Sequence, residues 1–326
     1  MKKILVIRFS SIGDIVLTTP VVRCLKKQLK DIELHVLTKK KFSNLFKKNT
    51  YVDKVFEFDN SLKDNIKELK KENYDYIVDL QKNKRSKRVT ASLRCQHSSF
   101  PKLNFKKFLL TTFKINLMPD VHIVDRYFEA VKDLGVKNDL KGLDFFISPE
   151  NHYDISELPS AFQNGFHAFV IGGTYKTKIL PAVKIVEVIK KLQESVVLLG
   201  GPDDVERAND VMNSVSENVV NLVGKINLEQ SASLVKMAKS VMTNDTGLMH
   251  IAAAFHKNTV SVWGNTVPEL GMYPYLPNEK DKCHIVECKD VKCRPCSKLG
   301  FKDCPKKHFR CMMEIDTDVV VEKLRK

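Results

Sequence analysis

A run of polar residues at positions 245–250 has the types and spacing that bind phosphate. Asp245, Thr246 and Gly247 follow the strand-like segment SVMTN and precede the apolar, helical segment LMHIAAAF. The start of a helix presents unpaired N–H groups and the positive end of the helix dipole, and a glycine there lets a ligand approach closely. These residues therefore predict a phosphate site, with His250 on the first turn facing it. A helix-capping Asp245 and a structural His250 are the simpler alternatives.

Two further loops with paired glycines follow predicted strands in the same half of the chain. One is GGTYKTKILP at 172–181, which carries Lys176 and Lys178, and the other is GGPDD at 200–204. A lysine in such a loop can pair with a diphosphate as a point charge, although exposed lysines are common in a basic chain. Neither loop has the spacing of a P-loop or of G-x-G-x-x-G, which disfavours ATP hydrolysis and nicotinamide chemistry. Together with 245–250, these loops suit a nucleotide diphosphate.

In the first half, the segment RFSSIGD at 8–14 follows the first predicted strand and ends on Asp14. The loop offers backbone N–H groups and the hydroxyls of Ser10 and Ser11. A carboxylate at a helix start either caps the helix or, when it faces a cleft, acts as a general base. The residues alone leave both roles open.

Strands and helices alternate along both halves, as in doubly wound α/β domains. The predicted helices include 15–29 and 121–136. The regular pattern breaks at 149–165, so we predict two Rossmann-like domains, at 1–155 and 156–326. Ligands of such sheets bind at the carboxyl ends of the strands, which is where the loops described above lie. Two facing domains of this kind place a cleft between them.

The composition fits a globular cytosolic protein with an anionic partner. The 326 residues suit two domains, no apolar run approaches the ~20 residues of a membrane span, and the first residues lack the apolar core of an export signal. Lys and Arg exceed Asp and Glu by 54 − 39 = 15, and ten cations with no acid stand between Asp79 and Asp120. Such charge favours nucleic acid, anionic lipid or a phosphorylated substrate, and a solvated basic face is the alternative.

Six of the eight cysteines fall within residues 283–311, an insertion without helical or strand periodicity. In a cytosolic chain such a cluster is more often reduced or metal-bound than disulfide-linked. Four of them have the spacing C-x2-C-x7-C-x6-C, which is compatible with a tetrahedral structural zinc site, and free thiols are the alternative. The four are Cys293, Cys296, Cys304 and Cys311.

Several segments occur in an order that resembles one enzyme family over essentially the whole chain. They are RFSSIGDIVLTTP, DYIVDLQKNKRS, TKILP, LLGGPDD, NLVGK and NDTGLMHIAAA. In these segments the chain resembles the ADP-heptose:lipopolysaccharide heptosyltransferases, glycosyltransferase family 9. The resemblance implies a GT-B fold: an acceptor-binding N-terminal domain, a nucleotide-sugar-binding C-terminal domain and an active site in the cleft between them. It also implies an inverting transfer of heptose from ADP-heptose to the lipopolysaccharide inner core, with no metal or other cofactor required for catalysis.

The resemblance also implies roles for individual residues. Asp14 matches the catalytic aspartate of the family. The positions implied for acceptor binding are Ser10, Ser11, Lys84 and Arg85, and those for donor binding are Thr174, Lys178, Asp245, Thr246, Gly247 and His250. Leu180 departs from the tryptophan of the family's Lys-x-Trp-Pro motif.

The implied acceptor, the lipopolysaccharide core on lipid A, places the enzyme peripherally on the inner face of the cytoplasmic membrane. The acid-free stretch at 82–114 suits both the phosphorylated acceptor and an anionic membrane surface. Two other functions stay open. One is a related transferase that uses a UDP- or GDP-linked hexose. The other is a basic nucleic-acid-binding protein, although no recognised nucleic-acid motif is present and we expect no nucleic-acid partner.

Overall fold

The computed structural model describes residues 1–59, 61–215 and 217–326 and divides into two compact units. The first contains Met1–Lys102 and Val121–Phe146, and the second contains Leu103–Asp120 and Ile147–Lys326. The segment 103–120 therefore packs with the second unit although the first unit surrounds it in sequence. The boundary at residue 155 and the acceptor and donor roles of the two domains stay predictions.

The first unit is built on a five-stranded parallel sheet in the order β3-β2-β1-β4-β5. Its strands are β1 (Lys2–Ile7), β2 (Ile32–Lys39), β3 (Lys54–Phe58), β4 (Tyr76–Asp79) and β5 (Gln96–Ser99). The helices up to residue 128 are α1 (Ile12–Val16), α2 (Thr19–Gln28), α3 (Asn44–Lys47), α4 (Lys63–Lys71), α5 (Lys84–Leu93), α6 (Asn104–Phe108), which belongs to the second unit, and α7 (Ile123–Phe128).

The central strand β1 shows why this half forms a buried parallel sheet. Its last four residues are apolar and buried, as expected where both faces of a sheet are covered. The chain continues from β1 to β2 on one side, while β4 pairs with β1 on the other. At such a switch point the two outgoing loops diverge and leave a crevice for ligands. The residues that follow β1 and β4 therefore mark the place for a site.

The second unit contains a six-stranded sheet in the order β11-β10-β9-β6-β7-β8, in which every pairing is parallel. Its strands are β6 (His167–Val170), β7 (Val196–Leu199), β8 (Val219–Asn221), β9 (Ser240–Asn244), β10 (Asn258–Trp263) and β11 (Cys283–Glu287). The later helices are α8 (Ser160–Gln163), α9 (Ala182–Leu192), α10 (Val205–Met212), α11 (Leu228–Met237), α12 (Gly247–Ala254), α13 (Arg310–Met313) and α14 (Thr317–Leu324). The switch point lies between β6 and β9.

These sheets confirm the predicted α/β class, but three local predictions were wrong. The helix predicted at 121–136 is only α7 and a short 3₁₀ turn at Lys132–Leu134, because the N–H groups of Ala130 and Val131 bond to carbonyls three residues back. The helix predicted at 15–29 is divided in two: Ile15 and Val16 end α1, and α2 starts at Thr19 with Pro20 in its first turn, where the missing N–H costs nothing. Strand β11 lies in the stretch expected to lack regular structure.

A helix that crosses a membrane must be both long and apolar. Among the residues described, no helix is both long enough and apolar enough to cross a bilayer.

Candidate active site

Asp14 lies on α1, directly after β1 and therefore at the switch point of the first sheet. Its Oδ2 accepts hydrogen bonds from the backbone N (3.1 Å) and the Oγ (2.9 Å) of Ser11. Its Oδ1 forms an ion pair with the Arg8 guanidinium at 2.5 Å. Asp14 thus stabilises the helix start, as the sequence allowed. Its side chain is still 26% exposed, which leaves carboxylate lone pairs accessible to a substrate hydroxyl.

Arg8 keeps this carboxylate ionised and oriented. The guanidinium is buried and also donates to Leu80 O (2.6 Å) and Tyr127 Oη (3.1 Å). Burial acts to raise the pKa of Asp14, but the Arg8 charge and the Ser11 hydrogen bonds outweigh it and hold that pKa below its usual value. Asp14 is therefore an anion at neutral pH, the state in which a carboxylate accepts a proton.

The other predicted residues of the first unit lie at the same edge of its sheet. Ser10 and Ser11 follow β1, and Lys84 and Arg85 form the first turn of α5, which follows β4. Both basic side chains are exposed. The hydrogen bond of Arg8 to the loop after β4 connects these two loops. A carboxylate, two hydroxyls and two cations thus share one edge.

In the second unit, Lys178 and Asp245 form an ion pair. Lys178 Nζ lies 2.6 Å from Asp245 Oδ2, and Thr266 Oγ1 donates to the same oxygen at 2.9 Å. Asp245 follows β9 and Lys178 follows β6, so the pair lies at the switch point of this sheet. The capping alternative for Asp245 is wrong, because Thr246 is the N-cap of α12. The carboxylate instead fixes the position of the lysine ammonium.

The three loops around this pair are joined by buried polar contacts. Asn244 Nδ2 donates to Gly172 O at 3.1 Å, and Asn244 Oδ1 accepts from Leu180 N at 3.0 Å. Asp204 Oδ2 accepts from Gly201 N at 3.0 Å and would lie 2.0 Å from a Cβ on Gly172, so only glycine fits at that position. The loops after β6, β7 and β9 therefore form one connected surface at the carboxyl edge of the sheet.

The remaining predicted donor residues lie on or beside this surface. Thr174 is exposed in the loop after β6, whereas His250 is buried, with 2% of its surface exposed, on the first turn of α12. Thr246 makes no capping hydrogen bond with its side chain, and Gly247 begins the helix. The first N–H groups of α12 and the Lys178 ammonium thus lie together at the carboxyl edge of the sheet, an arrangement that can bind a diphosphate.

A family model decides the class of this protein. The model described as glycosyltransferase family 9 (heptosyltransferase) matches residues 63–302. The chain belongs to glycosyltransferase family 9. As a member it is a glycosyltransferase, the enzyme class that the sequence resemblance implied.

Relatives and solved structures of the family match over nearly the full length. Lipopolysaccharide heptosyltransferase 1 of Campylobacter coli is 26% identical over 81% of this chain and 84% of its own. The structure of the Escherichia coli ADP-heptose lipopolysaccharide heptosyltransferase II is 20% identical, covers 100% of this chain and 98% of its own, and has a TM-score of 0.73. An E. coli heptosyltransferase solved with ADP covers 99% of both chains, with 21% identity and a TM-score of 0.68. The predicted GT-B fold with two Rossmann-like domains is confirmed.

The cysteines predicted to bind zinc are only partly brought together in this family 9 chain. Cys293 Sγ lies 4.0 Å from Cys296 Sγ and 3.8 Å from His308 Nε2. Within the described part of the chain, no three His, Cys, Asp or Glu side chains are arranged to hold a metal ion. Burial raises the pKa of Cys311 to about 11, and burial together with Cys293 raises that of Cys296 to about 12. A metal would therefore have to displace protons from these thiols.

Three polar residues that fix the geometry of the candidate site were not identified from the sequence. Arg8 could have been found from the sequence, because it is a charged residue directly after a buried strand. Asn244 has a weaker signal, since an amide ends the buried strand before Asp245. Thr266 has none, because it lies 21 residues along the chain from its partner.

Proposed function

We propose that this enzyme transfers a heptose from ADP-heptose to the lipopolysaccharide inner core, with inversion at the sugar carbon and no metal or other cofactor for catalysis. The names of its relatives supply the sugar, the nucleotide and the acceptor. One observation carries the proposal: Lys178 is fixed by Asp245 beside the start of α12. A diphosphate leaving group needs a preorganised cation and N–H donors of this kind.

Asp14 is the proposed general base. Inversion by a single in-line displacement requires a base on the acceptor hydroxyl and no covalent intermediate. The ionised carboxylate takes the hydroxyl proton while the acceptor oxygen bonds to the sugar carbon and the bond from that carbon to the diphosphate breaks. The proposed acceptor contacts are Ser10, Ser11, Lys84 and Arg85, of which the two exposed cations can pair with phosphates and acidic sugars of the core.

The departing diphosphate gains negative charge, which the second unit is suited to stabilise. Lys178 supplies a fixed positive charge, and the first turn of α12 at Thr246 and Gly247 supplies N–H donors. This positive potential removes the need for a metal ion on the diphosphate. Thr174 and His250 are the remaining proposed donor contacts.

A thermal-shift comparison of ADP-, GDP- and UDP-sugars tests this function. We expect ADP-heptose to raise the melting temperature, since a ligand at ~100 times its Kd stabilises by about 2.7 kcal/mol. Lys178→Ala serves as the control and should lose most of the shift. A larger shift with a GDP- or UDP-sugar would favour a family 9 transferase with another donor. No shift with any of the three would overturn the donor site.

Because the proposed acceptor is a lipid, we further propose that the enzyme works in the cytoplasm, peripherally on the inner face of the cytoplasmic membrane. The segment 103–120 supports this placement, since Phe105, Phe108 and Phe113 are 71%, 51% and 59% exposed. Leu110 of the same segment is buried against the second unit. Exposed aromatic side chains next to a cationic stretch fit an anionic lipid surface, where rings enter the headgroup boundary and cations pair with headgroups.

Changing Lys106 and Lys107 together to Glu should weaken binding to anionic vesicles, measured by co-sedimentation. Each cation near such a surface contributes about 1 kcal/mol, and binding of the parent should fall with salt because the Debye length is ~8 Å at physiological ionic strength. The control changes Lys70 and Lys71 on α4 to Glu, with the same change in net charge. Transfer to a small soluble acceptor should stay near the parental rate in both. Equal vesicle binding by the two double variants would exclude the segment as the membrane contact.

We also propose a structural zinc ion at Cys293, Cys296, Cys304 and Cys311. The Sγ–Sγ distance of 4.0 Å between Cys293 and Cys296 is near the ~3.8 Å edge of a tetrahedron with Zn–S bonds of ~2.3 Å. The other two thiols must approach this pair when the ion binds, since no three ligands converge in the structure as described. Elemental analysis should find one zinc per chain and none in Cys293→Ser. A zinc-free parent would overturn this proposal.

A further inference from the structure

The Cys-rich segment, residues 283–311, contains a buried arginine that no step of the transfer uses. Arg294 stands between Cys293 and Pro295, and its side chain is 5% exposed. It forms an ion pair with Glu287 on β11 at 2.7 Å and donates to Cys288 O at 2.6 Å. Burying a guanidinium costs free energy unless its N–H groups find hydrogen-bond acceptors. The acceptors of Arg294 other than Glu287 and Cys288 therefore indicate which part of the chain this side chain holds in place.

Arg294 also binds the end of β10 and the loop that follows it. Nε donates to Gly264 O, and Nη2, the nitrogen that also pairs with Glu287, lies 3.2 Å from both Trp263 O and Thr266 O. Three carbonyls, one at the end of β10 and two in the loop after it, thus converge on a single planar cation. The rigid fork of a guanidinium fits this arrangement, which a lysine ammonium satisfies only in part. Arg294 therefore fixes the backbone path of residues 263–266.

That loop leads directly to the ion pair at the second switch point. Thr266 Oγ1 donates to Asp245 Oδ2, the oxygen that also receives Lys178 Nζ. If residues 263–266 shifted enough to break this hydrogen bond, the Asp245 carboxylate would lose a donor that orients it. The Lys178 ammonium would then no longer be held in one position by Asp245.

The Cys-rich segment also contacts the turn that carries the lysine. Phe301 N donates to Thr177 Oγ1 at 2.8 Å, and Thr177 N donates to Phe301 O at 3.3 Å. Thr177 is buried and directly precedes Lys178. The segment thus braces the backbone on both sides of the ion pair.

We propose that Arg294 is a positioning residue for the donor diphosphate. It holds the loop after β10, the loop places Thr266 against Asp245, and Asp245 fixes the Lys178 ammonium. This inference rests on the proposed donor site and adds to it a residue that acts through others. Misplacement by ~1 Å in a site of this kind can cost ~10²-fold in rate, so a carbonyl clamp remote from the substrate can have a measurable kinetic effect.

The test replaces Arg294 by Met together with Glu287→Gln, so that no buried charge is left unpaired. We expect the KM for the nucleotide-sugar donor to rise roughly 10-fold or more while the KM for the acceptor stays unchanged. Arg294→Lys keeps the charge and should recover part of the loss. If the Met/Gln variant fails to fold, Arg294→Lys carries the test, with a smaller rise in the donor KM. Arg310→Met is the control, because the exposed Arg310 of the same segment forms an ion pair with the exposed Glu314 and should leave the donor KM at the parental value.

Combining the Met/Gln change with Lys178→Ala separates positioning from general destabilisation. If Arg294 acts through Lys178, the combined variant has the donor KM of Lys178→Ala alone. An additive loss, or an unchanged donor KM in both Arg294 variants, overturns the inference while leaving the donor site intact. A parent protein that binds no nucleotide sugar overturns the donor site and this inference with it.

Discussion

Asp14→Asn is expected to lower the transfer rate by ~10²–10⁴-fold, the usual contribution of a general base, while donor binding persists. The amide keeps the size of the side chain and can still accept from Ser11, but it cannot take the proton of the acceptor hydroxyl. Initial rates with saturating donor and acceptor measure the loss. ADP affinity, measured by calorimetry on the same preparation, should match that of the parent.

The control must remove a similar ion pair elsewhere, because Asp14→Asn also leaves the buried Arg8 without its anion. Asp139→Asn removes one of the two carboxylates that pair with the buried Arg23 in the same unit, through hydrogen bonds of 2.9 and 2.7 Å, while Asp144 remains as the other. Both variants should lose thermal stability, and only Asp14→Asn should lose turnover. Near-parental turnover in Asp14→Asn would remove Asp14 from the mechanism, and a matching loss in Asp139→Asn would assign the effect to stability.

The inner strands of the parallel sheets were predictable because they are buried on both faces. A strand such as β1 then has a continuous apolar run, here Ile4–Ile7, which a polar loop ends. Strand β11 escaped prediction because it is an edge strand with only Val286 fully buried, so its sequence has neither a continuous nor an alternating apolar pattern. The end of α7 escaped because backbone turns after Phe128, and not a proline or glycine, end the helix.

The candidate site was predictable where one loop carries the whole signal. Asp14 and Asp245 each stand at the junction of a buried strand and a helix, and that junction is visible in a single sequence. The connections between loops were not. Thr266 meets Asp245 across 21 residues, and Arg294 meets Gly264 across 30. Contacts at such separations have no period, so only the folded sheet edge brings them together.

Lys178→Ala is expected to lower kcat/KM for the donor by ~10²–10³-fold, the effect of removing one preorganised donor from a developing anion. Part of this loss is repulsion, because the change leaves the Asp245 carboxylate unpaired by lysine beside the diphosphate. Lys178→Ala combined with Asp245→Asn removes that negative charge as well. The double variant should therefore recover part of the donor affinity that the single variant loses.

Lys176→Ala is the matched control, since Lys176 lies in the same short turn with an exposed side chain. It should change donor kinetics little, because a solvated lysine that is not held in place is screened by salt within ~8 Å. Equal losses in the two lysine variants would show that the turn acts through its total charge and not through a fixed ammonium. All assays omit divalent metal. If the parent strictly required added magnesium, the cation on the diphosphate would be the metal, and Lys178 would have to act elsewhere in donor binding.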